Sequence, residues 1–180
     1  MYYYNIISHF LGLLLLKRKP QELQYSKKTF FLFIILIILV SYINILVLGI
    51  KIPNIKVFMF LSILINNFSF FLILYLFLLK NGFKNRFIQT SSNFLGIEII
   101  NCIFFLLFIL INNNIYNEYM PFFLSLVIAL WFLLVRINII RHSFNYGILT
   151  SLIVLLSFFF ISLIMSMTLT FMISVIYNTI

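Results

Sequence analysis

Five long apolar runs, separated by short polar segments, constrain this chain more than any other feature of its sequence. An α-helix needs about 20 apolar residues to cross the hydrocarbon core of a bilayer, and each run reaches that length. Charged residues make up only 8% of the chain, whereas a soluble domain carries roughly 25%. The sequence therefore predicts an all-α integral membrane protein, a helix bundle with spans at about 29–50, 57–79, 91–111, 121–140 and 147–177.

The N-terminal residues 1–28 differ from the spans that follow them. Their apolar stretch, 2–16, is too short to span and is followed, not preceded, by positive charge, which argues against a signal peptide. Four of its residues share one weakly polar helical face: Asn5, Ser8, His9 and Gly12. We predict an interfacial amphipathic helix and a basic cytoplasmic connection over 1–28, with residues 2–16 lying on the membrane rather than entering it, and a five-span bundle over 29–180. Ser26 is placed to cap the first span.

The basic residues predict the direction in which the chain crosses the membrane. If the N-terminus lies inside, ten Lys and Arg residues fall on or near the cytoplasmic side, and only Lys51 and Lys56 fall outside. Cytoplasmic loops of membrane proteins carry an excess of Lys and Arg. Five spans then place the C-terminus outside.

The net charge of +9 would suggest nucleic acid as a partner of a soluble protein, but here the charges flank spans. Their first role is to orient the chain. They could also hold anionic lipid headgroups, at about 1 kcal/mol per charge near the surface. The candidates are Lys17, Arg18, Lys19, Lys80, Lys84 and Arg86.

Glu98 is the one acidic residue within a predicted span, roughly 10 Å from the cytoplasmic start of span three. Arg136 lies at a similar depth in span four, which a short loop joins to span three, so an ion pair between them is geometrically reasonable. The favoured interpretation is structural: the pair neutralises two buried charges and sets helix register. The alternative interpretation is functional: Glu98 binds a proton or cation in a conducting path, with Asn101 and Cys102 as polar neighbours.

Span five carries a stripe of small residues, one every four positions: Ser162, Ser166, Thr170 and Ser174. Such a stripe lets another helix approach closely and exchange hydrogen bonds. Helix packing, within the chain or between subunits, is favoured over a substrate-lining role. Spans one and two also carry polar faces that avoid lipid, formed by Ser41 and Asn44 and by Ser62, Asn66 and Ser69.

Groups that catalyse reactions or bind metals are scarce. Cys102 is the only cysteine, and His9 and His142 belong to no ligand-spacing motif. Three acidic residues leave general acid–base catalysis few candidates, and motifs such as Gly-x-Ser-x-Gly or a glycine-rich phosphate loop are missing. We expect no enzymatic activity, no metal and no cofactor.

Two segments, LLLLKRKPQELQYSKKTF (13–30) and LWFLLVRINIIRHSF (130–144), resemble small proteobacterial inner-membrane proteins that are grouped with the Yip domain. The plan of five spans with short loops is also similar to the Yip family. The resemblance implies a noncatalytic multi-pass protein of the bacterial cytoplasmic (inner) membrane, which organises lipids and other membrane proteins or copies of itself, without nucleic acid. The second hypothesis is a small transporter or channel subunit centred on Glu98.

Overall fold

The computed structural model describes residues 2–24, 26–47, 53–112 and 119–179. Within them the chain forms six α-helices and no strand. The helices are α1 Tyr2–Leu14, α2 Lys27–Val47, α3 Pro53–Lys80, α4 Phe87–Asn112, α5 Tyr119–Phe144 and α6 Ile148–Thr179. Two single 3₁₀ turns, Pro20–Glu22 and Lys84–Arg86, precede α2 and α4.

Helices α2 to α6 are each long and apolar enough to cross a membrane. This confirms the predicted fold class, a multi-pass bundle of five apolar helices. Ser26 caps α2 as expected, since its Oγ accepts a hydrogen bond from the Thr29 backbone N–H at 3.3 Å. Three bounds differ from the prediction by four residues: α3 begins at Pro53, α4 begins at Phe87, and α5 continues to Phe144. Polar and basic residues end an apolar run, but they do not end a helix, and cations are favoured in a helix's last turn.

The five long helices form a closed ring. The most extensive contacts join α3 to α6 and α2 to α4, while α5 lies against both α4 and α6. A smaller contact between α2 and α3 completes the circuit in the order α2, α4, α5, α6, α3. The ring is therefore least tightly joined between α2 and α3.

One end of the bundle, which we call the basic end, gathers the segments 17–24, 81–89 and 141–147. Gln21 donates a hydrogen bond to the His142 carbonyl, and the Arg86 guanidinium donates to the Ser143 carbonyl at 2.9 Å. Helices α3 and α5 finish here with a left-handed residue, Gly82 (φ 77°) and Asn145 (φ 58°). In each case the next N–H returns to a carbonyl five residues back, as in a Schellman cap.

Packing is uneven along the bundle. We define the basic half as residues 2–24, 27–37, 67–98 and 132–161, and the far half as the other described residues. Among the described residues, every fully buried apolar side chain except Ile45 lies in the basic half. Its centre is α4, where all residues of 90–97 are buried. The core of this protein therefore occupies one end of the bundle.

The N-terminal segment packs on this core. His9, Phe10 and Leu13 of α1 are buried against α4 and α5. The Phe10 ring lies so close to Gly96 that a Cβ there would overlap it. Ile7, Leu11 and Leu15 face outward. The predicted weakly polar face thus turns partly toward the protein at His9, and the outward face of α1 is apolar.

Candidate functional site

Glu98 and Arg136 meet inside the bundle. The Arg136 guanidinium donates a hydrogen bond to the Glu98 carboxylate, across the contact between α5 and α4. Glu98 lies eleven residues after the start of α4 at Phe87, roughly 16 Å along the helix axis. Arg136 lies eight residues before the end of α5 at Phe144, roughly 12 Å from it. Both charges are therefore deeper in their helices than the sequence predicted, because each helix extends four residues further toward the basic end.

The two partners are not equally enclosed. The Arg136 side chain is 15% exposed, and its guanidinium lies 5.5 Å from the centre of the Phe159 ring on α6, a cation–π contact. The Glu98 side chain is 34% exposed, although it lies within the bundle. Arg136 is thus held on two sides, whereas Glu98 opens into a space.

That space is a partly open cavity of about 480 Å³ between α2, α3, α4 and α6, which we call the Glu98 cavity. Polar side chains from all four helices line it: Ser41, Asn44, Ser62, Asn66, Asn67, Glu98, Cys102 and Ser166. The rest of its wall is apolar, and most of its surface comes from apolar atoms. A smaller cavity of about 60 Å³ is lined by Asn66, Asn67, Glu98 and Arg136. A carboxylate, a guanidinium and several amides therefore lie around connected spaces within apolar helices.

Two amide oxygens at this cavity lack a partner within the described part of the chain. Asn44 is only 8% exposed; its Nδ2 donates to the Cys102 carbonyl at 3.4 Å, while its Oδ1 accepts no hydrogen bond. The Oδ1 of Asn66 is buried and likewise unpaired. An unsatisfied buried acceptor costs about 1–3 kcal/mol. Both side chains line the Glu98 cavity, but these two oxygens have almost no surface open to a solute in it, so they would meet a bound cation only after the amides turn.

The predicted stripe on α6 lies against α3. Ser162 and Ser166 are buried, and the Ser166 hydroxyl donates to the Ser62 carbonyl at 3.0 Å. Ser166 also lines the Glu98 cavity. Thr170 donates back to the Ser166 carbonyl at 2.6 Å, and the side chain of Ser174 lies outside the described residues. The structure therefore places Ser166 both at a helix contact and at a cavity wall.

Of the two predicted polar neighbours of Glu98, the structure places only Cys102 at the Glu98 cavity. Cys102 lines the Glu98 cavity one turn beyond Glu98. Asn101 is half-buried, and it is not among the side chains described as lining that cavity. The amides that line the cavity with Glu98 are Asn44 of α2 and Asn66 and Asn67 of α3. The sequence had indicated only that Asn44 and Asn66 avoid lipid.

The six basic residues that were candidates for binding anionic lipid differ in their exposure. Lys17, Lys19, Lys80 and Lys84 are exposed, and Arg18 is half-buried. Arg86 is engaged within the protein, since besides its bond to Ser143 its guanidinium lies 4.4 Å from the centre of the Phe83 ring. Arg86 therefore joins α4 to the end of α5 and is less free than the lysines to meet a headgroup.

A second polar cluster, at α1, was not foreseen from the sequence. The His9 Nε2–H donates to the Asn93 Oδ1 at 2.8 Å, and the Asn93 amide donates to the carbonyls of Pro20 (2.9 Å) and Gln89 (2.7 Å). This leaves the buried Nδ1 of His9 as an acceptor without a partner in the described residues. Burial lowers the pKa of His9, although its bond to Asn93 opposes that shift. The only sequence signal was polarity at positions 89–93, which resembled a membrane interface.

In comparisons with family models, curated proteins and solved structures, nothing matches this chain.

Proposed function

We propose that this multi-pass membrane protein is a small transporter or channel subunit, in which a cation or small polar solute binds beside Glu98. The observation that carries the proposal is the opening of Glu98 into a cavity that the amide side chains of Asn44, Asn66 and Asn67 also line. Ionisable groups within a membrane are costly, and in membrane proteins they commonly mark ion or substrate pathways. An ion pair that served packing alone would not need such a cavity.

The chemistry follows from the pairing. The guanidinium of Arg136 balances the carboxylate of Glu98, so this pair adds no net charge to the cavity. An entering cation competes with Arg136 for the carboxylate, and the amides of Asn44 and Asn66 turn their oxygens toward it to replace part of its hydration shell. Since the contact of Arg136 with Phe159 does not involve Glu98, the arginine keeps a favourable neighbour while the carboxylate changes partner.

Flux into reconstituted vesicles tests this proposal. Purified protein in liposomes should pass protons, sodium or rubidium faster than protein-free vesicles, and Glu98→Gln should remove that flux. Because Glu98→Gln leaves Arg136 without its counter-charge, the double variant Glu98→Gln/Arg136→Gln should be measured beside it. Glu22→Gln, at an exposed acid on the basic end, is the matched control and should conduct normally.

Two results would overturn the proposal. One is wild-type protein that passes none of the three ions above background. The other is a stable double variant that passes them at the wild-type rate, since the cavity would then work without its carboxylate.

The second candidate function is a noncatalytic, Yip-like organiser of lipids or membrane proteins. It is favoured by the outward apolar face of α1, formed by Ile7, Leu11 and Leu15, which lies beside the exposed Lys17 and Lys19. A helix with an apolar face and adjacent positive charge suits the surface of an anionic membrane. Reproducible crosslinking of α1 to one membrane protein, in a preparation without ion flux, would favour this function.

Both functions place the chain in a bacterial cytoplasmic membrane with its basic end inside. Single-cysteine labelling tests that orientation, because Cys102 is the only native cysteine and can be replaced by serine. An impermeant maleimide should label a Lys56→Cys variant in intact cells, and a Lys84→Cys variant only after permeabilisation. The reverse pattern would contradict the predicted orientation.

A further inference from the structure

A second cavity lies on the outside of the ring, where α2 and α3 are least tightly joined. This α2–α3 groove has a volume of about 510 Å³, and its walls are almost entirely apolar. Phe30 and Ser41 mark its two ends on α2, and Tyr75 and Leu64 mark the corresponding ends on α3. Phe68, which is 71% exposed, lies at its open side. In a membrane this groove faces lipid.

The dimensions of the groove fit one lipid acyl chain. Eleven residues separate its ends on each helix, which is roughly 16 Å. One leaflet contributes about half of the roughly 30 Å hydrocarbon core, so this length matches a single leaflet.

The end of the groove nearest the basic end meets positive charge. A further cavity of about 420 Å³ lies there, lined by Tyr75, Lys84, Asn85, Phe87 and Ile88. Tyr75 and Phe87 line both spaces, and their rings pack edge to face with centres 5.2 Å apart. Lys84 and Asn85 are exposed. The apolar groove therefore leads directly to an ammonium group and an amide at headgroup depth.

We propose that the α2–α3 groove and the cavity at Lys84 form one site for an anionic phospholipid. One acyl chain lies in the groove between α2 and α3, and the lipid phosphate meets Lys84 and Asn85. Tyr75 and Phe87 support the glycerol region at the junction, where aromatic side chains are favoured at membrane interfaces. Lys27, one turn before Phe30 on the same face of α2, adds a second positive charge near the headgroup. This site does not depend on flux through the Glu98 cavity.

Native mass spectrometry of the protein, titrated with phosphatidylglycerol or phosphatidylcholine, tests the site. Wild-type protein should bind phosphatidylglycerol more tightly. Lys84→Gln should weaken phosphatidylglycerol binding about fivefold, the effect of one charge near the surface, and leave phosphatidylcholine binding unchanged. Arg141→Gln, at an exposed arginine of the basic end that lines neither cavity, should change neither.

A second pair of variants tests the groove itself. Leu72→Trp adds bulk at a groove position that is 39% exposed, so the core is spared, and it should reduce binding of both lipids. Leu76→Trp, one turn further along the same helix and outside the groove lining, is its control. Equal losses from Lys84→Gln and Arg141→Gln would overturn the site in favour of general surface charge. Unchanged binding in Leu72→Trp would overturn the groove as the place of the acyl chain.

Discussion

The two halves of the bundle use different means to hold helices together. In the basic half, apolar side chains interdigitate around α4, and side chains such as Gln89 and Asn93 donate to loop carbonyls. In the far half, most side chains of 103–110 and 123–131 are exposed. Among the described residues, contacts between helices there include hydrogen bonds such as Ser166 to Ser62 and Asn44 to Cys102, and the edge-to-face rings of Tyr42 and Phe60. One half is a packed core and the other is a looser frame.

This difference indicates which part of the protein can hold a functional cavity. The Glu98 cavity begins at the border of the two halves and extends into the far half, where polar side chains replace apolar packing. A cavity of similar size within the packed core around α4 would cost close contacts there. The basic half can therefore serve as the rigid support that fixes Glu98 and Arg136.

The largest loss of stability should come from breaking the Glu98–Arg136 ion pair, which lies at the border between the two halves. Arg136→Gln leaves the Glu98 carboxylate without its partner, and breaking a buried pair costs about 3 kcal/mol. We expect a much lower midpoint of thermal unfolding in mild detergent. Glu98→Gln/Arg136→Gln should recover part of the loss, because it leaves no unpaired charge. An equally unstable double variant would show that the side chains matter through packing rather than charge.

A smaller loss should follow from crowding the basic half. Gly96→Ala places a methyl group against the Phe10 ring, and overpacking a core costs about 1–3 kcal/mol. We expect α1 to detach, which trypsin cleavage at 17–19 would report. Combining Gly96→Ala with Phe10→Leu should restore protection. If Gly96→Ala leaves cleavage unchanged, α1 is held by contacts other than the close approach at Gly96.

Lowering the pH should also weaken the docking of α1, but by less than Gly96→Ala does. Burial lowers the pKa of His9 from its ordinary value of 6.5, so the docked state favours the neutral ring. Docking is therefore strongest above pH 6.5 and weakens as the pH falls below it, because the released helix takes up the proton more readily. Hydrogen exchange of α1 between pH 7.5 and about pH 5.5 would measure the change. His9→Asn should abolish the pH dependence, and His142→Gln, at the other histidine, should retain it.

The smallest loss of stability is expected from a substitution in the far half. Ser166→Ala removes the hydroxyl that bonds to Ser62, and hydrogen bonds between membrane helices contribute about 0.6 kcal/mol on average. The midpoint of thermal unfolding should shift by less than the Gly96→Ala variant shifts it. A loss as large as that of Arg136→Gln would contradict the contrast between the two halves.

The sequence predicted the five-helix architecture well because apolar length alone determines which segments can span a membrane. It also indicated Glu98 and Arg136, since two charges on neighbouring helices stand out among apolar residues. It placed both too near the basic end, because span three was predicted to begin at 91 and span four to end at 140, whereas α4 begins at Phe87 and α5 ends at Phe144. Thr90, just outside the predicted span, is in fact buried inside the bundle.

The sequence did not predict the Glu98 cavity or the docking of α1, because both depend on which helices are in contact. Asn44 lies on α2 and Asn66 on α3, and nothing in either segment indicates that both line a cavity with Glu98 on α4. The docking of α1 likewise requires Phe10 and Gly96 to meet across more than 80 residues of chain. Apolar length and charge are local properties, so the sequence by itself determined the spans, their number and the unusual charges. Contacts between distant helices decided the ring order, the packed half, the Glu98 cavity and the groove, because they depend on how side chains from separate segments fit together.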